Sequence, residues 1–178
     1  MDNQKKYPLT KTEYGIYFDF ANNPKSTAYN IPQFLTFDKD TDVLKLKVAV
    51  EKAVEAHPYL RTRLSVDENG NVYKSICDEP VNVEIKEIRD AEFNKSDYVY
   101  PFDLLKDCLC RFCIFRTESS VVLFCDIHHI IFDGFSLQLF MADIDRALSG
   151  QPLEVETYTG NDVSEEEAQR LLTPELDE

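Results

Sequence analysis

Apolar residues recur with the period of an α-helix in three parts of the chain. The pattern is clearest over 41–58, where apolar side chains occupy one side and charged side chains the other until a proline interrupts the segment. Residues 9–22 predict a shorter amphipathic helix, and residues 135–150 predict one that closes on a glycine. We therefore expect three helices, each with one apolar face that packs against another layer.

The residue types before two of these segments indicate where the helices begin. Thr10 is followed three residues later by Glu13, which is the spacing of a capping box. Asp40 or Thr41 stands in the position of a cap for the second helix. Both starts are thus encoded by side chains that accept a hydrogen bond from the first helical turn.

The apolar segments between the helices have the patterns of β-strands. Residues 29–38 are rich in aromatic and β-branched side chains, and residues 59–78 contain two short strands joined by an Asn-Gly turn within 67–71. Apolar and polar residues alternate over 81–86, as they do in a half-buried strand. Four strands are therefore expected before the most apolar part of the chain.

Two nearly continuous hydrophobic runs, 109–116 and 121–127, predict central strands that are covered on both faces. The second run leads into IHHIIFDGFS at 127–136, which in turn leads into the last predicted helix. The order helix, strand, helix, strands, helix predicts an α/β (α+β) two-layer sandwich, with helices packed on a mixed β-sheet.

The charge of the chain restricts its partners. A formal net charge of −14 over 178 residues argues against nucleic acid and against an anionic membrane, since both require clustered basic residues. The excess is concentrated in 151–178, where nine acidic residues face one arginine, so we expect a solvated connection that is separate from the body. No stretch reaches the roughly 20 apolar residues of a membrane span, and the start lacks a signal-peptide pattern, which predicts a cytoplasmic protein.

The five cysteines are expected to be reduced thiols of the core, because most of them stand inside apolar runs. Cys110 and Cys113 form a CxxC pair, but no second CxxC or HxxxH follows it. A zinc or redox role for this pair is therefore disfavoured, and we predict no metal site.

The segment 127–136 places two histidines, an aspartate and a glycine between a buried strand and a helix. Considered by itself, a histidine pair at a strand end is more often satisfied polar structure than a catalytic group, and Asp-Gly is usually a turn. Only a wider set of motifs can decide between these two interpretations.

Such a set is present. HHIIFDG at His128–Gly134 matches HHxxxDG, the signature of nonribosomal peptide synthetase condensation domains, which have the chloramphenicol acetyltransferase-like fold. AHPYLRTRL at Ala56–Leu64 resembles their RHExLRTxF segment, and YPFDLLKDCLCR resembles their PFDL…PLxR stretch. LTKTEYGIYF resembles their opening helix motif. Because the four elements follow the family's order, the resemblance extends over nearly the whole chain.

The resemblance implies an acyltransferase that forms an amide (peptide) bond. The amine of an acceptor aminoacyl thioester attacks a donor acyl thioester, and phosphopantetheine arms hold both on peptidyl carrier proteins. Carrier proteins, a C-terminal lobe and adjacent synthetase modules are then the expected partners, with no cofactor bound directly.

The resemblance also implies roles for the residues of the motif. His129 matches the catalytic position, as a general base or as a positioning group, because neutral imidazole can accept or hold the amine proton. His128 matches the partner that packs or hydrogen-bonds beneath it. Gly134 is expected to let the backbone bend and to bring its N–H near the tetrahedral oxyanion.

The role implied for Asp133 is structural. In the family, the corresponding residue fixes the loop through a salt bridge to an arginine, for which Arg61 and Arg111 are the candidates in this sequence. His57, which follows the second helix, is interpreted as a helix-end residue.

A complete condensation domain has two lobes. We therefore expect 1–150 to be the N-terminal lobe and 151–178 to be an acidic crossover toward an absent C-terminal lobe. The isolated lobe is expected to be inactive. Two alternatives remain open: a noncatalytic lobe that docks carrier proteins, and a stand-alone acetyltransferase of the same fold.

Overall fold

The structure is a computed structural model that describes residues 5–172, which form seven strands and four α-helices. The strands are β1 (Tyr7–Pro8), β2 (Asn30–Asp38), β3 (Thr62–Val66), β4 (Val72–Ile76), β5 (Val83–Glu87), β6 (Cys110–Arg116) and β7 (Ser120–His128). The helices are α1 (Lys11–Asn22), α2 (Val43–Ala56), α3 (Gly134–Leu148) and α4 (Gly160–Leu172). Short 3₁₀ helices span Pro58–Arg61, Asp90–Glu92 and Lys95–Tyr98.

A four-stranded sheet with the order β2-β7-β6-β5 forms the centre of the molecule. The β5–β6 pair is parallel and the other two pairs are antiparallel, so the predicted mixed sheet is confirmed. Strand β7 lies between two partners, and every residue from Val121 to His128 is buried, as its continuous apolar sequence requires. Pro32 is tolerated in β2 because this strand is at the edge, where a missing N–H costs no sheet hydrogen bond.

Both faces of this sheet are covered. Helices α2 and α3 pack on one face and contribute Leu46, Val50 and Phe140 to the main core. The other face is covered by the connection that contains the short 3₁₀ helices Asp90–Glu92 and Lys95–Tyr98, from which Phe93 and Tyr98 pack on an aromatic cluster of β6 and β7. The prediction of doubly covered central strands is thus confirmed, although loop segments supply the second cover.

The predicted hairpin is present as β3 and β4. Gly70 has a φ of 84°, and the Asp67 carboxylate accepts hydrogen bonds from the backbone N–H groups of Asn69 and Asn71. Strand β1 adds to β4, so the hairpin belongs to a separate three-stranded sheet with the order β1-β4-β3. The sequence pattern gave no sign of this second sheet.

The helix starts agree with the sequence in one case and differ in the other. Thr10 and Glu13 form the predicted capping box of α1. The cap of α2 is Asp42, whose carboxylate accepts from the N–H groups two and three residues later, so the choice of Asp40 or Thr41 was wrong. Asp42 stands directly before Val43, where both the apolar pattern and the helix begin, so its carboxylate, and not that of Asp40, has the spacing of a cap.

The acidic segment after α3 is not the separate, solvated connection that its charge predicted. Its residues 160–172 form α4, which packs against β1 and buries Asn161 and Ser164. Glu165 pairs with Lys5, and Glu167 accepts a hydrogen bond from the backbone of Lys11. The acids therefore find cationic and N–H partners on the body. Residues 173–178 of that prediction lie outside the described residues, and the boundary at residue 150 remains a prediction.

None of the described helices combines the length and the apolar composition that are needed to cross a membrane.

Candidate active site

The two histidines, at the end of β7 and the start of the following loop, are held by backbone hydrogen bonds from opposite sides. The backbone N–H of His128 donates to Leu109 O at 2.8 Å, and that of His129 donates to Tyr29 O at 2.8 Å. The two side chains point in different directions: His128 is buried, with 6% of its surface exposed, and His129 is exposed to solvent. One sequence motif thus yields one interior and one accessible imidazole.

His128 lies in an apolar, aromatic environment. Its ring centroid is 5.6 Å from that of Phe102 and 6.1 Å from that of Tyr29. Its Nδ1 accepts a hydrogen bond from Ile130 N–H at 3.2 Å, so the neutral ring carries its proton on Nε2. Burial lowers the pKa of His128 to about 4, and the charges of His129 and Arg111 act in the same direction. His128 is therefore neutral near pH 7.

Arg111, in β6, holds the segment 100–102 that packs against His128. Its guanidinium lies 3.6 Å from the ring centroids of both Tyr100 and Phe102, and it donates to the carbonyl oxygens of Tyr100 and Pro101. It is also 3.5 Å from Asp126, a fully buried carboxyl whose pKa burial raises to about 6. Arg111 thus holds the segment that supplies Phe102 to the His128 pocket.

Asp133 is structural, but not in the predicted way. It is the N-cap of α3, and its Oδ1 accepts from Ser136 N–H at 2.8 Å and from Ser136 Oγ at 2.7 Å. These hydrogen bonds keep the pKa of Asp133 below its usual value. Within residues 5–172, neither Arg61 nor Arg111 forms an ion pair with Asp133, so the predicted salt bridge is wrong. The carboxylate satisfies the helix start instead, and Arg111 is engaged elsewhere.

Gly134 is the first residue of α3. Its φ is not positive, and an added Cβ would meet nothing within 4 Å. The backbone bend that the sequence suggested therefore does not depend on glycine. Its proximity to an oxyanion stays a prediction.

His129 opens onto a cavity of about 520 Å³. One wall is the loop itself, which we call the motif wall; it consists of His129 to Asp133 together with Ser136. The other, which we call the lysine-held wall, presents Glu13, Tyr59 and Gly160. The cavity thus brings the motif into contact with α1, with the 3₁₀ helix after α2 and with the start of α4.

A buried lysine holds this second wall together. Lys74 Nζ donates to both carboxylate oxygens of Glu13, at 2.7 and 2.9 Å, and to Tyr59 Oη at 2.7 Å. It also reaches Ser164 Oγ at 2.5 Å and Gly160 O at 3.2 Å, both on α4. Burial lowers the pKa of Lys74, an effect that the Glu13 carboxylate opposes. Burial and then Glu13 raise the pKa of the Tyr59 phenol, which remains neutral.

The sequence missed this cluster, although one signal was present. Lys74 stands two residues from both Val72 and Ile76 in β4, so it shares the apolar face of the strand with them. A charged residue there requires a buried partner, but its identity depends on chain segments that are far apart in sequence. Glu13 was recognised only as part of a helix cap.

His57 is the residue after α2, in agreement with its interpretation as a helix-end residue. Its Nε2 is 2.9 Å from an Asp143 carboxylate oxygen, and its Nδ1 is 3.7 Å from Glu156. These contacts connect α2 to α3 and to the segment before α4. His57 therefore lines the cavity as a structural residue.

Among residues 5–172, no group of three or more His, Cys, Asp or Glu side chains is arranged to hold a metal ion.

Comparison with known proteins gives one consistent family. A family model described as "Condensation domain" matches residues 3–176. Surfactin synthase subunit 2 of Bacillus subtilis is 28% identical over 156 residues, which cover 85% of this chain and 4% of that protein. Tyrocidine synthase 3 of Brevibacillus parabrevis is 30% identical over 155 residues, which cover 84% of this chain and 2% of that protein. The chain thus spans only a few percent of these relatives.

Solved structures show the same fold. The starter condensation domain of the rhizomide synthetase matches with a TM-score of 0.80 at 18% identity, over 95% of this chain and 44% of that chain. The first condensation domain of the CDA synthetase matches with a TM-score of 0.73 at 20% identity, over 93% of this chain and 47% of that chain. The chloramphenicol acetyltransferase-like fold is therefore confirmed, over somewhat less than half of each solved chain.

Proposed function

Because the chain belongs to the condensation-domain family, we propose that it is the N-terminal lobe of a nonribosomal peptide synthetase condensation domain that forms amide bonds. The observation that carries this proposal is the placement of the HHIIFDG motif. Its second histidine faces a cavity of about 520 Å³ at a helix N-terminus, while its first is buried and neutral beneath it.

The reaction needs a group that manages a proton. As the acceptor amine attacks the donor thioester carbonyl, a C–N bond forms, the C–S bond breaks and the amine loses a proton to the departing thiolate. A neutral imidazole at the cavity surface can take that proton or hold the amine by a hydrogen bond. His129 is the exposed imidazole of the motif and is assigned this task, as general base or as positioning group.

His128 supports His129 and does not react itself. Its Nδ1 is already occupied by Ile130 N–H, and its ring is enclosed by aromatic side chains. A neutral ring under the loop adds no positive charge beside His129, which must remain able to accept a proton. We therefore assign His128 a positioning role in the same reaction.

The start of α3 is suited to the negative charge that develops on the carbonyl oxygen. First-turn N–H groups have no acceptor within the helix, and the helix dipole favours an anion there. Asp133 occupies the N–H of Ser136, while Gly134 N–H belongs to the same first turn. Gly134 is thus the backbone donor that we assign to the oxyanion.

The substrates and partners follow from the family. The donor and acceptor are thioesters on the phosphopantetheine arms of carrier proteins, and no directly bound cofactor is required. Since the solved condensation domains are about twice as long as this chain, we expect the cavity to become a catalytic site only when a C-terminal lobe closes it.

The direct test measures dipeptidyl thioester formation with loaded donor and acceptor carrier proteins. The 178-residue chain is compared with the same chain joined to a C-terminal condensation lobe. We expect product only from the joined protein. Product from the chain by itself would contradict the half-domain assignment and favour a stand-alone acyltransferase. Carrier-protein binding without product from either protein would favour the noncatalytic docking lobe.

A further inference from the structure

A pair of thiols lies outside the cavity, at the start of β6. The Sγ atoms of Cys108 and Cys110 are 3.8 Å apart. Cys110 is buried, whereas Cys108 is half-buried and lines a separate cleft of about 350 Å³. The two thiols thus form a close pair, one member of which can be reached from solvent.

This pair differs from the CxxC that the sequence offered. Cys113 belongs to the aromatic cluster on one face of the sheet, and Cys110 belongs to the main core on the other face. Residues three apart in a strand point to opposite faces and are separated by roughly 10 Å of chain. Cys110 therefore has Cys108 as its neighbour and not Cys113.

A separation of two residues in sequence is compatible with a bond between the two close thiols. Two residues of extended chain span roughly 6.6 Å, which is near the upper limit of the roughly 4.4–6.8 Å between Cα atoms that disulfides accept. The sulfur atoms must approach to about 2.05 Å, which side-chain rotation can provide.

The surroundings favour Cys108 as the attacking thiol. Its hydrogen bond with Cys110 lowers the pKa of Cys108 to about 6 against the effect of burial, and the charge of Arg63 adds to the lowering. The same hydrogen bond, together with burial, raises the pKa of Cys110. Arg63, Lys86 and Arg111 line this cleft together with a single acidic residue, Glu84, so the net positive charge of the lining favours an anionic reagent.

We propose that Cys108 and Cys110 are a redox-active dithiol, which forms a reversible intrachain disulfide by exchange with a small-molecule disulfide such as glutathione disulfide. The Cys108 thiolate attacks one sulfur of the reagent, forms a mixed disulfide and expels one glutathione thiolate. Cys110 then loses its proton, attacks the Cys108 sulfur and expels the second thiolate. The protein dithiol is oxidised by two electrons, and the reagent is reduced to two thiols.

The position of the pair connects it to the histidine motif. Leu109 stands between the two cysteines, and its carbonyl oxygen accepts the backbone N–H of His128 at 2.8 Å. A disulfide that spans Leu109 constrains the peptide units on both sides of that carbonyl. Because the two sulfur atoms must close from 3.8 Å to about 2.05 Å, oxidation should displace the Leu109 carbonyl and weaken the hydrogen bond that holds His128.

The test uses the whole 178-residue chain, treated with glutathione disulfide, alkylated under denaturing conditions and digested with trypsin. Cleavage separates 107–111, which contains only Cys108 and Cys110, from 112–116, which contains only Cys113. We expect the alkylated form of 107–111 to disappear and a form two hydrogen atoms lighter than the peptide with two free thiols to replace it. Peptide 112–116 should remain alkylated. A dithiol reductant should restore alkylation.

Two variants give the matched controls. Cys110→Ser should stop at a stable glutathione adduct on Cys108, because the second thiol is missing, and Cys113→Ser should behave like the wild type. Full alkylation of 107–111 in the wild type, a lasting glutathione adduct there, or a disulfide that involves Cys113 would each overturn the proposal.

Amide hydrogen exchange tests the connection to the motif. In the oxidised chain, exchange at His128 N–H should be faster than in the reduced chain, while exchange in the hairpin β3–β4 should be unchanged. Equal protection of His128 in the two states would overturn the connection.

Discussion

The two walls of the cavity are built in different ways. The motif wall is a single short segment, in which backbone bonds from His128 and His129 and the Asp133 cap fix every turn locally. The lysine-held wall is assembled from α1, the segment after α2, β4 and α4, and these four parts converge on Lys74. One wall is a property of a few consecutive residues, and the other is a property of the tertiary fold.

The two walls therefore have different roles: the motif wall carries the candidate catalytic groups, and the lysine-held wall stabilises the fold around them. The motif wall places an accessible imidazole beside the N-terminus of α3, where a Cβ added to the neighbouring Gly134 would meet nothing within 4 Å. The lysine-held wall contains a charged group with no exposed surface and a tightly packed glycine at 160. We therefore expect substitutions in the lysine-held wall to affect stability strongly and substitutions of exposed groups in the motif wall to affect activity.

The largest stability effect is expected for Lys74→Met, which removes the ammonium group and keeps an apolar chain. It leaves the Glu13 carboxylate partly buried without its cation, so the free energy of unfolding should fall by about 3–5 kcal/mol in urea denaturation. Glu13→Gln in the same protein should restore most of the loss, because both charges are then absent. A change below about 0.5 kcal/mol for Lys74→Met would show that the wall does not depend on this pair.

Acid should lower the stability of the protein through His128, which is buried beneath the motif wall. Unfolding exposes the ring and returns its pKa from about 4 toward 6.5, so between these values the unfolded chain binds more protons than the folded one. Stability from the neutral ring is therefore present above about pH 6.5 and is lost as the pH falls toward 4. Relative to His128→Gln, the wild type should lose up to about 3 kcal/mol across this window.

Urea denaturation of the two proteins at several pH values measures this effect. Asp126, whose pKa burial raises to about 6, titrates in the same window with the opposite sign, and the comparison with His128→Gln removes its contribution. Parallel curves for the two proteins would contradict a buried, neutral His128.

The glycines that begin α4 and α3 provide a matched pair across the cavity. A Cβ at Gly160 would overlap the Tyr59 ring, which Glu13 and Lys74 hold in place by hydrogen bonds. Gly160→Ala should therefore cost about 1–3 kcal/mol of unfolding free energy. The methyl group of Gly134→Ala would meet no atom within 4 Å, so this variant should change the free energy of unfolding by less than about 1 kcal/mol. Equal losses in thermal unfolding would contradict the difference between the walls.

The smallest effect distinguishes a helix cap from a salt bridge at Asp133. Asp133→Ala removes the acceptor for Ser136 N–H and should lower the free energy of unfolding by about 1 kcal/mol. Asp133→Asn retains a capping oxygen and should lower it by only about 0.3 kcal/mol. Urea denaturation of both variants measures this. If Asp133→Asn lowers the free energy of unfolding as much as Asp133→Ala does, the charge of the carboxylate is what stabilises the loop. An ion pair with Arg61 or Arg111 would then replace the helix cap as the explanation.

The sequence predicted well what local patterns encode. The hairpin turn at 67–71, the Thr10–Glu13 cap and the apolar strand β7 each depend on neighbouring residues, and each was confirmed. The position of the HHIIFDG motif at the junction of β7 and α3 was also evident, because a continuous apolar run and a helical period flank it.

What depends on distant contacts was missed. Acidity suggested that 151–178 was solvated, but α4 docks because Lys74, far away in the sequence, offers a buried cation to that region. The partner of Asp133 was misassigned because Arg111 is drawn to Asp126 and to two aromatic rings instead. A charged residue in an apolar pattern indicates that a partner is needed, but the pattern does not identify that partner.

The most direct test of the account is the rate of dipeptidyl thioester formation by the joined, two-lobed protein and its His129→Ala variant. The fold should be unaffected, since the backbone N–H of residue 129 still reaches Tyr29 O and the lost ring is exposed. Loss of a positioned proton-transfer group predicts a fall in rate of about 10²- to 10⁴-fold with unchanged thermal unfolding. An unchanged rate would contradict the assignment of His129, and with it the proposed role of this cavity.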